Sequence, residues 1–170
     1  QLHRHELLEV VVVADRAVAF SLGGCVHSQF DASSSASWTP RDRALLANAP
    51  YARASIPTAY QRHVVDYHRK EAPGTIVVET DDRYLYYVLR QGKAIRYGVT
   101  VGEDALAWSG VAKIGRLQEW PAWVPTREIK QRLGNIPAYV DPGPHNPMGA
   151  RVLYLYQGNK DTLYRIHGTN

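Results

Sequence analysis

The chain has almost no cysteine. One thiol, Cys25, in 170 residues leaves no intrachain disulfide and no zinc site built on cysteine pairs. The histidines offer no substitute. His63 and His68 stand five apart, and His3, His5 and His27 add no spacing that a metal would use. No metal and no cofactor is therefore expected. Long hydrophobic runs are missing too, so no stretch reads as a clean membrane span. There is no lysine-rich run and no base-stacking motif. A net charge of +4 is too small and too dispersed to argue for nucleic acid. Gly102, Gly110 and Gly115 precede no Lys-Ser/Thr pair, which excludes a phosphate loop. Phenylalanine is scarce at two residues, whereas tyrosine reaches eleven and tryptophan four. That balance favours a β-rich chain with amphipathic surfaces or grooves. The length suits one packed domain and an extension.

The first 25 residues admit two readings. His3-Arg4-His5 precedes apolar stretches at 7–13 and 17–22, and these end in Leu22-Gly23-Gly24-Cys25. The ending resembles the cleavage box of a bacterial lipoprotein signal, which makes residues 1–25 a candidate export signal and Cys25 the candidate lipidation site. Glu9, Asp15 and Arg16 interrupt that core. The alternative is a short amphipathic helix with an incidental buried cysteine. Residues 26–72 read as linker and N-terminal extension, with a Ser/Ala tract at 31–37 and prolines at 40, 50 and 57. Residues 41–47 have room for one or two helical turns, and 60–70 are mixed in pattern.

From Pro73-Gly74 onward the pattern changes. Residues 76–80 form a strand rich in branched side chains, Asp81-Asp82 a turn, and 84–90 the returning strand. Gln91-Gly92-Lys93 turns again into 94–101, giving an antiparallel meander. Residues 102–125 read as loop-rich. Thr126 caps a short helix with Ile129 and Leu133 on one face and Gly134 at its end. The proline- and glycine-rich stretch 134–150 reads as a long loop, mobile or pinned for function. Strands at 151–156 and 163–167, joined by a turn at Gly158-Asn159, follow it.

His167 is the main candidate for chemistry. It ends the last strand, on the face of Leu163 and Arg165 and opposite Tyr164 and Ile166. Imidazole titrates near neutrality, so it can take a proton from a thiol or hydroxyl and return it to a leaving amine. The carbonyl of Gly168 or a nearby turn is placed to hold its other nitrogen. A plain hydrogen-bonded strand-end histidine is the competing account. His145, fixed between Pro144 and Asn146-Pro147, either lines a groove or satisfies loop carbonyls. Asn146 either donates to a peptide carbonyl or caps the turn.

Five stretches together resemble the L,D-transpeptidase catalytic domain of the YkuD type. They are Pro73-Gly74-Thr75-Ile76-Val77-Val78, Tyr84-Leu85-Tyr86-Tyr87-Val88, Tyr97-Gly98-Val99-Thr100-Val101-Gly102, His145-Asn146-Pro147-Met148-Gly149-Ala150-Arg151 and Tyr164-Arg165-Ile166-His167-Gly168-Thr169-Asn170. The resemblance covers 73–170. It implies a mainly β fold, an antiparallel β-sandwich with one or two short helices, incomplete at its C-terminus. It implies a cysteine that attacks a peptidoglycan stem tetrapeptide, releases D-alanine and leaves a thioester. An amine of a second stem or of a wall-anchored lipoprotein then takes the acyl group, or water does. In this resemblance His167 is the proton donor/acceptor and Gly168 supplies the carbonyl that orients it. His145, Asn146 and Gly149 border the substrate groove. The resemblance also implies export to the bacterial periplasm or envelope, with stem peptides as partners and the membrane reached only through an N-terminal lipid anchor.

The family's nucleophile lies in a Ser-x-Gly-Cys-x-Arg segment downstream of the histidine, and residues 1–170 contain no such segment. The chain on its own is therefore expected to be inert. Two other readings remain open. One is a non-catalytic peptidoglycan-binding module. The other is a hydrolase using Ser109 or Thr169 with His167.

Overall fold

The computed structural model describes residues 9–13, 39–47, 56–106 and 108–168. Its strands are β1 (Glu9–Val13), β2 (His63–Asp66), β3 (Ile76–Glu79), β4 (Tyr84–Val88), β5 (Lys93–Gly98), β6 (Gly110–Glu119), β7 (Arg151–Gln157) and β8 (Lys160–His167). The helices are α1 (Pro40–Leu46), the single turn α2 (Glu103–Leu106) and α3 (Arg127–Leu133), with a 3-10 turn at Thr58–Tyr60. The mainly β, largely antiparallel class expected from the sequence is the one observed. Among the described residues no helix is long and apolar enough to cross a membrane. Two compact units share these elements. The first takes 56–114 and 156–162 together with β1; the second takes 115–155 and 163–168 together with α1.

In the first unit the strand order is β2-β5-β4-β3-β1, then the first half of β6. Neighbours are antiparallel except β1 and β6, which run parallel. The hairpin between β4 and β5 turns on Gln91 and Gly92, both with positive φ (60° and 66°). That backbone matches the twist of the flanking strands. Val77 is fully buried and packs with Tyr67, Val88 and Ala94. Gly98 is there for space: a Cβ on it would sit 2.5 Å from the Cβ of Tyr60. Glu79 is buried but paired with Arg69.

Two segments of the chain depart from the sequence reading, and a third settles an open alternative. Residues 9–13, in the stretch read as signal core or helix, are extended in β1. Four consecutive valines explain this, since branching at Cβ favours strand over helix. Cys25 and the lipidation reading lie outside the described residues. His63–Asp66, in the stretch of mixed pattern where Val64-Val65 suits either a strand or a helix, is the strand β2 and pairs with β5. Gly110–Glu119, read as loop, is the ten-residue strand β6. Most of its side chains are exposed and two are glycine, so it carries little of the apolar alternation that marks a strand.

In the second unit the end of β6 is followed by β7 and β8 in strand order. Trp120, Val152, Tyr154 and Leu155 are buried apolar residues of this unit. Helix α3 has the expected ends. The Thr126 hydroxyl accepts from the Ile129 amide at 3.3 Å, and Gly134, at φ 66°, closes the last turn. Helix α1 starts with a capping box between Thr39 and Asp42 and with Pro40 in its first turn. Its Asp42 is among the most deeply buried residues of the unit, although the sequence places it in linker.

Candidate active site

His167 closes β8. Tyr164, Arg165 and Ile166 are all half-buried and His167 is exposed, so burial at this end of the strand does not alternate residue by residue. Further back, Leu163 has a φ of 65°. The face shared by Leu163 and His167 is thus set by a local kink as well as by strand geometry.

Nδ1 of His167 lies 2.5 Å from the carbonyl oxygen of Gly168. A carbonyl oxygen can only accept, so this contact places the ring proton on Nδ1. In the neutral imidazole Nε2 is then the acceptor nitrogen. The Gly168 amide in turn donates to the Arg151 carbonyl at 3.0 Å. A Cβ on Gly168 would lie 3.5 Å from the Ala150 nitrogen and 3.7 Å from the Gly149 Cα. The end of β8 therefore lies against the start of β7, which brings His167 and Gly168 beside Gly149. Gly149 is buried, and its φ of 62° fits glycine.

Asn146 is placed differently from the expected groove-facing position. Its side chain is fully buried. Its Nδ2 donates to the carbonyls of Pro121 and Asp141, both at 3.0 Å, and of Val140 at 3.2 Å. Its Oδ1 accepts from the Met148 amide at 2.9 Å. The amide is spent inside the protein, pinning the loop from beneath. His145 next to it is exposed and lines an open groove of about 430 Å³ with Pro137, Tyr139, Asp141 and Pro144. The long proline-rich loop is thus of the pinned kind.

The electrostatic centre of this unit is a residue the sequence reading passed over. Asp42 accepts from Arg151 through Nη1 (2.9 Å) and Nη2 (2.7 Å), and from the Trp120 indole at 2.7 Å. The Thr39 amide and hydroxyl donate to it at 2.8 and 2.9 Å. The Arg151 guanidinium holds the Asp42 carboxyl well below the usual carboxylate range, against the opposing effect of burial, with Thr39 and Trp120 adding to the shift. The same pair raises Arg151 above its ordinary value. Glu119 lies farther out, 3.7 Å from Nη2 of Arg151. The one available signal, Thr39-Pro40-Arg41-Asp42 as a capping box, marks a helix start but not its partner.

Residues 73–170 match the model of the YkuD family, described as the L,D-transpeptidase catalytic domain. The chain belongs to the L,D-transpeptidase catalytic domain family. A probable L,D-transpeptidase ErfK/SrfK of Escherichia coli K12 is 36% identical over 104 residues, covering 56% of this chain and 31% of that protein. A probable L,D-transpeptidase YbiS of the same strain is 30% identical over 105 residues, covering 57% and 32%. The match thus spans about a third of the length of these curated relatives. A crystal structure from Brucella melitensis, described as a probable carnitine operon oxidoreductase caia, is 42% identical with a TM-score of 0.58. It covers 67% of this chain, which covers 73% of it. The oxidoreductase description applies to that protein.

Proposed function

We propose that this chain supplies the proton-transfer half of a peptidoglycan L,D-transpeptidase, with His167 as the proton donor/acceptor. The observation that carries the reading is the exposed His167 ring with Nδ1 against the Gly168 carbonyl, a contact that in the neutral imidazole leaves Nε2 as the acceptor. A thiol with an ordinary pKa of about 8.5 is mostly protonated at neutral pH. An imidazole Nε2 within reach takes that proton and leaves the thiolate, which is the nucleophile. The thiolate forms a C–S bond to the stem-peptide carbonyl carbon. The amide C–N bond to D-alanine breaks, and the imidazolium returns its proton to the departing amine. An amine of a second stem or of a wall-anchored lipoprotein then displaces the sulfur, again losing its proton to Nε2. With water instead, the outcome is trimming. The thiol is the one expected from the family's Ser-x-Gly-Cys-x-Arg segment.

His145 and the groove it lines are the proposed border of the stem-peptide site. Gly149 sits where the loop meets His167 and Gly168. Asn146 acts there indirectly, by fixing the loop that carries His145. Such chemistry belongs in the bacterial envelope, with stem peptides as the substrate class.

The test uses the full product of the gene, incubated with a diaminopimelate-containing tetrapeptide. D-alanine release that disappears in a folded His167→Ala variant is the expected result. Release that survives the change removes the base assignment. Tetrapeptide binding without any release favours the binding-module reading.

A further inference from the structure

We propose that Asp42, a residue N-terminal to the family domain, is a positioning residue for His167, acting through Arg151 and Gly168. This inference rests on the reading of His167 as the base. Four observations lead to it, all within the second unit.

First, the Arg151 guanidinium is held at two points by Asp42, while its Nη1 also donates to the Ala150 carbonyl at 2.9 Å. The side chain therefore fixes its own backbone at the head of β7. Second, the Arg151 carbonyl is the acceptor for the Gly168 amide. Third, the Gly168 carbonyl accepts the His167 ring proton. Glycine has the freest backbone of any residue, so the direction of that carbonyl depends on what holds the glycine from outside. Fourth, Asp42 accepts a hydrogen bond from the indole N–H of Trp120, a bulky residue held at a φ of 43°. A non-glycine residue persists in that region only where its surroundings over-determine it. The Trp120 amide donates to the Ala150 carbonyl at 2.8 Å, so Asp42 reaches the same peptide from a second side. A side chain in α1 thus fixes the Ala150–Arg151 peptide, the one immediately before the carbonyl on which the Gly168 amide hangs.

The Arg151 side chain is about 43% exposed, so without Asp42 it is free to leave the Ala150 carbonyl for water. The peptide between Ala150 and Arg151 then loses a restraint, and the orientation of Gly168 and of the imidazole loosens with it. The loss falls on the tautomer of His167 rather than on its presence at the site.

The experiment reads that tautomer directly in the full chain, by long-range proton–nitrogen NMR of the histidine rings at about pH 8, where imidazole is neutral. Seven histidines give seven ring systems. His167 is assigned by its disappearance in His167→Gln. In the wild type His167 is expected to show a protonated Nδ1 and a bare Nε2. In Asp42→Asn and in Arg151→Gln the Nδ1–H form is expected to fall from the dominant to the minor species. Gly98→Ala, which loosens the first unit instead, should leave the His167 tautomer unchanged. Retention of the Nδ1–H form in the folded Asp42 and Arg151 variants overturns the proposal, as does an equal change in Gly98→Ala. A wild-type ring with a bare Nδ1 removes the orientation assigned to His167 itself, which is a separate failure. If the variants do not fold, amide exchange in the wild type decides. The Gly168 amide should be protected, and free exchange there overturns the linkage.

Discussion

Asp42 and Arg151 are 109 positions apart in the chain and share a two-point ion pair, Oδ1 with Nη1 at 2.9 Å and Oδ2 with Nη2 at 2.7 Å. Asp42 is 3% exposed, so removing its carboxylate leaves the buried Trp120 indole N–H without its acceptor and the half-exposed Arg151 guanidinium without its two-point partner. Asp42→Ala is expected to destabilise the protein by roughly 2–4 kcal/mol, below the full value for a buried pair because Arg151 retains water. Urea unfolding of the two proteins, read by tryptophan fluorescence, measures the difference. A change of under half a kcal/mol would show that the pair is incidental.

The same contact sets a pH dependence. Arg151 lowers the Asp42 pKa in the folded state, so the unfolded chain binds a proton that the folded chain refuses. The stability from this group is therefore complete above the unfolded value of about 3.9 and is lost as pH falls below it. Midpoints measured from pH 7 down to about pH 2 should fall more steeply in the wild type than in Asp42→Asn. Parallel acid limbs would remove Asp42 as a contributor.

Local signals in the sequence were enough for the β3-β4-β5 meander and for α3. Branched runs broken by Asp81-Asp82 and Gln91-Gly92, and a helix between Thr126 and Gly134, are decided by residues close in the chain. His167 at a strand end, with Gly168 behind it, was legible for the same reason. What stayed hidden depends on distant partners. Nothing around Asp42 announces Arg151, and nothing around Asn146 announces the Pro121 carbonyl 25 positions away. Only the family resemblance puts Asn146 at the groove border; its own neighbours leave it either donating to a peptide carbonyl or capping the turn. Convergence of three carbonyls beneath the loop takes its side chain into the interior. Strand β6 escaped because an exposed strand with charges and glycines has no periodic signature.

Asn146 accordingly behaves as a loop clamp. Asn146→Ala leaves buried carbonyls and the Met148 amide without their partner, at a cost of about 2–4 kcal/mol. The loop at 137–145 should also become the first site of cleavage in limited proteolysis, because its anchor is gone. Asn146→Asp keeps the acceptor for the Met148 amide but turns a buried carboxylate toward three carbonyl oxygens, and should cost at least as much as Asn146→Ala. Cleavage elsewhere, with wild-type stability, would show that the amide does not hold the loop.

Gly98 provides a test confined to the first unit. Its missing side chain lets Tyr60 approach so closely that a Cβ would meet the Tyr60 Cβ at 2.5 Å and its Cα at 2.8 Å. Tyr60 stacks on Tyr84, with ring centroids 5.9 Å apart, and the Tyr84 hydroxyl donates to the Ala59 carbonyl at 3.2 Å. The 3-10 turn at Thr58–Tyr60 is therefore fastened to β4 and β5 and cannot withdraw without losing these contacts. Gly98→Ala is expected to cost about 1–3 kcal/mol, as overpacking does. Tyr60→Ala alone is expected to destabilise by losing the stack. The double variant should cost less than the sum of the two single changes, because removing the Tyr60 ring frees the turn to move back and accommodate the added methyl. Strict additivity in the double-mutant cycle would show that Gly98 and Tyr60 do not constrain each other.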